Sequence, residues 1–126
     1  MSASTRGGPV LVVDDDPDIR ETISFLLESV GHEVVTAANG EEALLCLREG
    51  LAPCMILLDL MMPIMSGWQF RDEQRRDPAL SAIPVVILTG AGNAAEHAAT
   101  LGVTGYLEKP VPLDTLLSTV RRFAGA

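Results

Sequence analysis

The sequence predicts a three-layer, doubly wound (βα)5 sandwich around a five-stranded parallel sheet. Three observations predict it. Short apolar runs alternate with longer amphipathic stretches along the whole chain. Three of those runs are continuously apolar, as strands covered on both faces require. Helix-start signals stand between the runs, so each strand is followed by a helix and right-handed crossovers build one sheet.

Val10-Leu11-Val12-Val13 is the first strand. Asp16 then caps a helix that has Pro17 at its first position. Ile19, Ile23, Leu26, Leu27 and Val30 form its apolar stripe, and Gly31 stops it. Residues 33–37 make a weaker second strand suited to a sheet edge. Asn39 and Glu42 have capping-box spacing ahead of a helix ending at Gly50. Met55-Ile56-Leu57-Leu58 is the third strand, and Ser66 with Gln69 opens the third helix. That helix is polar from Arg71 to Asp77, so its packing is expected to rest on Trp68, Phe70, Leu80 and Ile83.

Val85-Val86-Ile87-Leu88 is the fourth strand. Asn93 and Glu96 repeat the capping-box spacing before an alanine-rich helix that ends at Gly102. Alanine offers little apolar area, and burial is worth about 25 cal/mol per Å², so this helix is expected to be the most mobile. Residues 104–107 form a weak fifth strand, and Pro112 opens a last helix striped by Leu113, Leu116, Leu117 and Val120.

The chain has 126 residues, enough for one domain with one core. Residues 1–8 are expected to be a flexible tail, and 9–124 the folded domain. Seventeen acids face nine bases, a net charge of −8, which argues against a surface built for nucleic acid or anionic lipid. No apolar run is long enough to span a bilayer, and the first residues lack the apolar stretch of a signal peptide. A cytoplasmic domain is expected. Cys46 and Cys54 lie in apolar surroundings and are read as buried free thiols.

In doubly wound folds the site lies at the carboxyl ends of the strands. There the first strand delivers Asp14-Asp15-Asp16, the third Asp59, the fourth Thr89, and the fifth leads to Lys109, the only lysine. Carboxylates gathered from two strands repel one another unless a cation sits among them. An all-oxygen set favours Mg²⁺ over zinc. A carboxylate beside Mg²⁺ can also act as a nucleophile toward phosphorus.

Val12-Val13-Asp14-Asp15-Asp16-Pro17, Leu58-Asp59-Leu60-Met61-Met62-Pro63, Ser66-Gly67, Leu88-Thr89-Gly90 and Tyr106-Leu107-Glu108-Lys109-Pro110 resemble the receiver domain of two-component response regulators. The likeness runs from about residue 9 to 124. It implies a flavodoxin-like strand order of 2-1-3-4-5. It implies Asp59 as the phosphoacceptor, and Asp14, Asp15, Asp59 and the Met61 carbonyl around Mg²⁺. Thr89 would take a phosphoryl oxygen, Lys109 would pair with the phosphate, and Lys109-Pro110 would be cis. Tyr106 would be the switch residue with Thr89. Met61 and Ala91 would tune the lifetime of the phosphoryl group.

The resemblance further implies a histidine kinase or histidine phosphotransfer protein as donor. Output would pass through the face made by the fourth helix, fifth strand and fifth helix. That face lacks the charge pattern of dimerising regulators, so a monomer is expected. Gly90 stands where the family usually has alanine, and Ser66 where it usually has aspartate.

Two other readings remain. A phosphatase of the haloacid-dehalogenase type also uses a strand-end aspartate and Mg²⁺, but its Asp-x-Asp-x-Thr/Val signature fails at Asp18. A receiver that is never phosphorylated and acts by contact alone would usually lack part of the acidic set, which is complete here.

Overall fold

A computed structural model describes residues 8–90 and 92–124. Most of the expected tail lies outside the described residues. Five strands, β1 (Val10–Val13), β2 (Val34–Ala37), β3 (Met55–Asp59), β4 (Val85–Thr89) and β5 (Gly105–Glu108), alternate with five helices. The helices are α1 (Pro17–Ser29), α2 (Gly40–Arg48), α3 (Gly67–Arg76), α4 (Ala94–Leu101) and α5 (Leu113–Ala124). The sheet is parallel throughout, in the order β2-β1-β3-β4-β5.

The continuous apolar runs are explained by the two faces of this sheet. Leu11, Val13, Ile56, Leu58, Val85 and Ile87 pack on one side with Leu44 and Leu47 of α2, Phe70 of α3 and Leu101 of α4. Val10, Val12, Met55, Leu57, Val86 and Leu88 pack on the other with Ile23 and Leu27 of α1 and Leu116 and Val120 of α5. Successive strand residues point to opposite faces, so only a strand buried twice reads as unbroken apolar sequence. The edge strands are the more polar ones, β2 and β5, as expected.

Most helix starts follow the sequence signals. The Asp16 side chain accepts from the Asp18 N–H, with Pro17 in the first turn. Ser66 and Gln69 form a complete capping box. Asn39 caps α2 through the Glu42 N–H, but the Glu42 carboxylate accepts from Ala38 N–H rather than from Asn39. Asn93 makes no side-chain cap for α4. Its ψ of 24° departs from the extended conformation a capping residue needs to reach back to the first turn.

α3 departs furthest from expectation. Phe70 is buried as predicted, but so are Arg71 and Gln74 in the stretch that reads as polar. Arg71 Nε donates to the Leu101 carbonyl at 3.0 Å and Nη2 to that of Gly102 at 2.8 Å, while Nη1 donates to Gln74 Oε1. Gln74 Nε2 in turn donates to the carbonyls of Leu80 and Ile83. The guanidinium thus satisfies the carbonyls of Leu101 and Gly102, while the Gly102 N–H closes on those of Ala98 and Ala99 in the last turn of α4. Gly102 closes that end at φ 64°, a left-handed conformation in which glycine carries no Cβ penalty. His97 is half-buried and meets Trp68 edge to face, ring centres 5.4 Å apart. Cys54 is buried as expected, whereas Cys46 is only half-buried, and both are free thiols.

Candidate functional site

The register of the sheet brings the strand-end residues together. Val13 pairs with Leu58, so Asp14 and Asp59 leave neighbouring strands side by side. Thr89 ends β4 next to β3 and pairs with Glu108 of β5. Lys109 follows directly, and its main-chain N–H donates to the Thr89 carbonyl at 2.8 Å. The Lys109-Pro110 peptide is cis. Gly67 lets α3 start against this rim, because a Cβ there would run into the Asp59 carbonyl and Leu60 Cα.

Asp14 is wholly buried, and its groups are held on several sides. Oδ1 accepts from Asp16 N–H at 2.9 Å and Oδ2 from Lys109 Nζ at 2.8 Å. Its main-chain carbonyl accepts from Arg20 Nη1 at 2.7 Å, and its N–H donates to the Ala37 carbonyl. Arg20 was not expected here; six residues past Asp14 on the first helix, it reads as an ordinary surface base.

Asp59 is 5% exposed. Its Oδ1 accepts from the Met61 N–H at 3.3 Å and lies 3.6 Å from Lys109 Nζ. Burial, and then the charge of Asp14, push the Asp59 carboxyl up to about 6, against the opposing pull of Lys109 and the Met61 N–H. Burial alone would lower the Lys109 ammonium. Its hydrogen bond to Asp14 and the nearby charges of Asp59 and Asp14 outweigh that and raise it. Asp15 is exposed at the open side of the pocket. One carboxylate oxygen from each of Asp14, Asp15 and Asp59 can be chosen so that all lie within 4.8 Å of one another. That oxygen-only donor set fits a small hard cation such as Mg²⁺.

Residues 10–121 match the family described as the response regulator receiver domain. The chain belongs to that family. This receiver is 34% identical to the protein PilH of Pseudomonas aeruginosa over 113 residues, 88% of this chain and 93% of PilH. It is 37% identical over 114 residues to the probable transcriptional regulator ycf27 of Pyropia yezoensis, spanning 89% of this chain but only 45% of that relative. Among solved structures, the chemotaxis protein CheY4 of Vibrio cholerae is 35% identical with a TM-score of 0.82, covering 92% of this chain and 98% of CheY4. The receiver domain of the sensor histidine kinase PA1611 from Pseudomonas aeruginosa, described with a magnesium ion in its active-site cleft, is 28% identical. Its TM-score is 0.82, with 95% of this chain and 99% of that one covered.

The receiver's Thr89 is buried beside the acidic pocket, on the strand next to Asp59. Tyr106 lies on β5 with 46% of its surface exposed, and Leu113 at the start of α5 is also exposed. Met61 stands two residues past Asp59 with its side chain in solvent. Ala91 lies outside the described residues. Among the described residues no helix is long and apolar enough to cross a membrane.

Proposed function

We propose that this receiver accepts a phosphoryl group on Asp59 from the phosphohistidine of a histidine kinase or histidine phosphotransfer protein. The observation that carries the reading is the pairing of Asp59 with Lys109 inside a three-carboxylate pocket. An Asp59 carboxylate oxygen attacks phosphorus in line with the histidine nitrogen. The new P–O bond forms as the P–N bond breaks, and the imidazole nitrogen keeps the bonding electron pair. Asp14, Asp15, Asp59 and the Met61 carbonyl are the groups that would hold Mg²⁺. When bound, Mg²⁺ would offset charge on the transferring phosphoryl group.

Lys109 reaches both Asp14 and Asp59, so it can pair with phosphoryl oxygens once Asp59 carries them. Thr89, on the neighbouring strand, supplies a hydroxyl to the same group. Drawing Thr89 inward biases the β4–α4 connection, and the half-exposed Tyr106 follows it from β5. The altered face of α4, β5 and α5 then binds an output protein, and the domain acts as a cytoplasmic signalling switch rather than a turnover enzyme.

The test is incubation of the purified protein with phosphoramidate and Mg²⁺, followed by intact-mass analysis. One phosphoryl group per chain is expected for the wild type and none for Asp59→Ala. Equal labelling of the two would refute the assignment.

A further inference from the structure

Where α3 meets the C-terminal end of α4 there is an open groove of about 330 Å³, lined by Trp68, Gln69, Arg71, Asp72, Arg75 and Leu101. That volume suits a small ligand. Two guanidiniums converge in it. Arg71 Nε and Arg75 Nη1 both donate to one oxygen, the Leu101 carbonyl, at 3.0 and 3.4 Å. A Cβ added to Gly102 would stand 3.9 Å from both Arg71 Nη2 and Arg75 Nη1.

This pairing runs against ordinary charge placement. Arg71 is only 9% exposed, and a buried guanidinium is normally matched to an anion. Among the described residues neither Arg71 nor Arg75 has a carboxylate within salt-bridge reach, although the chain carries a net charge of −8. Asp72, the one carboxylate lining the groove among the described residues, pairs with Arg76 at 3.0 Å instead. Like charges four residues apart on a helix repel. Burial, and then the charge of Arg75, lower the pKa of Arg71. Capping α4 does not account for both side chains. Arg71 alone serves the Leu101 and Gly102 carbonyls, and Arg75 adds only the longer bond.

Donors are left over as well. A guanidinium carries five N–H bonds. Arg71 gives three of them to Leu101, Gln74 and Gly102, which leaves one on each Nη. Arg75 is exposed and makes only its longer bond to Leu101. Beside them the half-buried Trp68, set against His97 of α4, and Leu101 give the groove an apolar wall.

We infer that this groove binds a small organic anion, a phosphate or carboxylate carried on a flat apolar body. The anionic group lies on the guanidiniums of Arg71 and Arg75, and the body lies along Trp68 and Leu101. The guanidinium fork matches the oxygens of either group, and an aromatic wall favours a flat partner. None of these residues takes part in the phosphoryl transfer proposed above.

The test is titration of phenyl phosphate, benzoate and inorganic phosphate into the isotope-labelled protein at constant ionic strength, without divalent metal. Trp68 is the only tryptophan, so its indole N–H in proton–nitrogen correlation spectra reports on the groove directly, alongside the Arg71 Nε–H. Phenyl phosphate and benzoate should move both signals saturably. Inorganic phosphate should bind about five-fold more weakly or worse, because it leaves the apolar wall uncovered. Arg75→Gln, at an exposed position, should weaken both organic ligands about ten-fold, as loss of a charged donor implies. Arg122→Gln removes the same charge from α5, on the opposite face of the sheet, and should bind within about two-fold of wild type.

Absence of any saturable shift would overturn the inference. So would equal affinity of Arg75→Gln and wild type, or equal weakening by Arg122→Gln. Inorganic phosphate binding as tightly as phenyl phosphate would also overturn it, leaving an adventitious ion only.

Discussion

Lys109 Nζ donates to Asp14 Oδ2 at 2.8 Å, while Asp59 Oδ1 lies 3.6 Å away. The ammonium therefore rests on the carboxylate that is not the proposed acceptor, inside the oxygen cluster a divalent cation would enter. Two cations near the same carboxylates repel each other. Lys109→Met should accordingly bind Mg²⁺ about five-fold more tightly than wild type. Titration calorimetry at neutral pH measures this, and weaker binding would show that the ammonium organises the site rather than competing for it. The same variant should lose about 1–3 kcal/mol of metal-free stability, because the wholly buried Asp14 carboxylate loses a charged partner.

The raised Asp59 pKa makes a prediction about pH. A carboxyl that ionises near 3.8 when unfolded but at about 6 when folded destabilises the fold once it is charged. That cost is absent well below the unfolded value, grows from about pH 4, and is complete above about pH 7. Asp59→Asn removes it. Without metal, the variant should exceed wild type by on the order of 3 kcal/mol at pH 7.5, and the gap should close toward pH 4. Urea denaturation in chelator at the two pH values reads both numbers, and a gap independent of pH would assign the gain to packing.

The buried Arg71 yields a third prediction. It donates to two carbonyls at the C-terminal end of α4, and Arg75 adds a longer bond of 3.4 Å to one of them. The other end of α4 has no side-chain cap. Side-chain hydrogen bonds thus hold the helix at one end only, and apart from the His97–Trp68 contact its packing rests on small alanines and Leu101. Arg71→Met should cost about 2–4 kcal/mol, since the buried Leu101 carbonyl, the part-buried Gly102 carbonyl and the buried Gln74 amide all lose a charged donor. Hydrogen exchange should quicken first in α4 and the residues just after it. Uniform loss of protection would mean that Arg71 supports the whole core instead.

What could be read from sequence divides along physical lines. The strands announce themselves because a doubly buried strand has no polar position to spare, and Val10–Val13 and Val85–Thr89 show it. The pocket was legible because carboxylates, a hydroxyl and the only lysine fall at successive strand ends. Arg71 and Gln74 were not legible. Their burial depends on carbonyls of residues 80, 83, 101 and 102, and nothing local in a polar helix reports such distant acceptors. Ile64, which takes a left-handed φ of 69° in the loop after β3, was equally silent, because isoleucine is a poor signal for that conformation. Asn93 shows the converse, a capping signal that the backbone geometry leaves unused.

Met61 carries the last prediction, which concerns how long the phosphoryl group persists. Its main-chain N–H is tied to Asp59, which places the residue beside the proposed acyl phosphate, while its side chain stands in solvent. Hydrolysis requires a water lined up opposite the Asp59 oxygen. A thioether is at best a weak hydrogen-bond acceptor and has no donor, so Met61 does little to orient that water. Asparagine offers both. One such bond in the transition state is worth roughly 1 kcal/mol, or about five-fold in rate. Met61→Asn should therefore shorten the lifetime of the phosphorylated protein by about that factor. The measurement is decay of label after removal of the donor, in excess Mg²⁺ at fixed pH. A lifetime equal to or longer than that of the wild type would show that access of water to the site, rather than its orientation by this side chain, sets the rate.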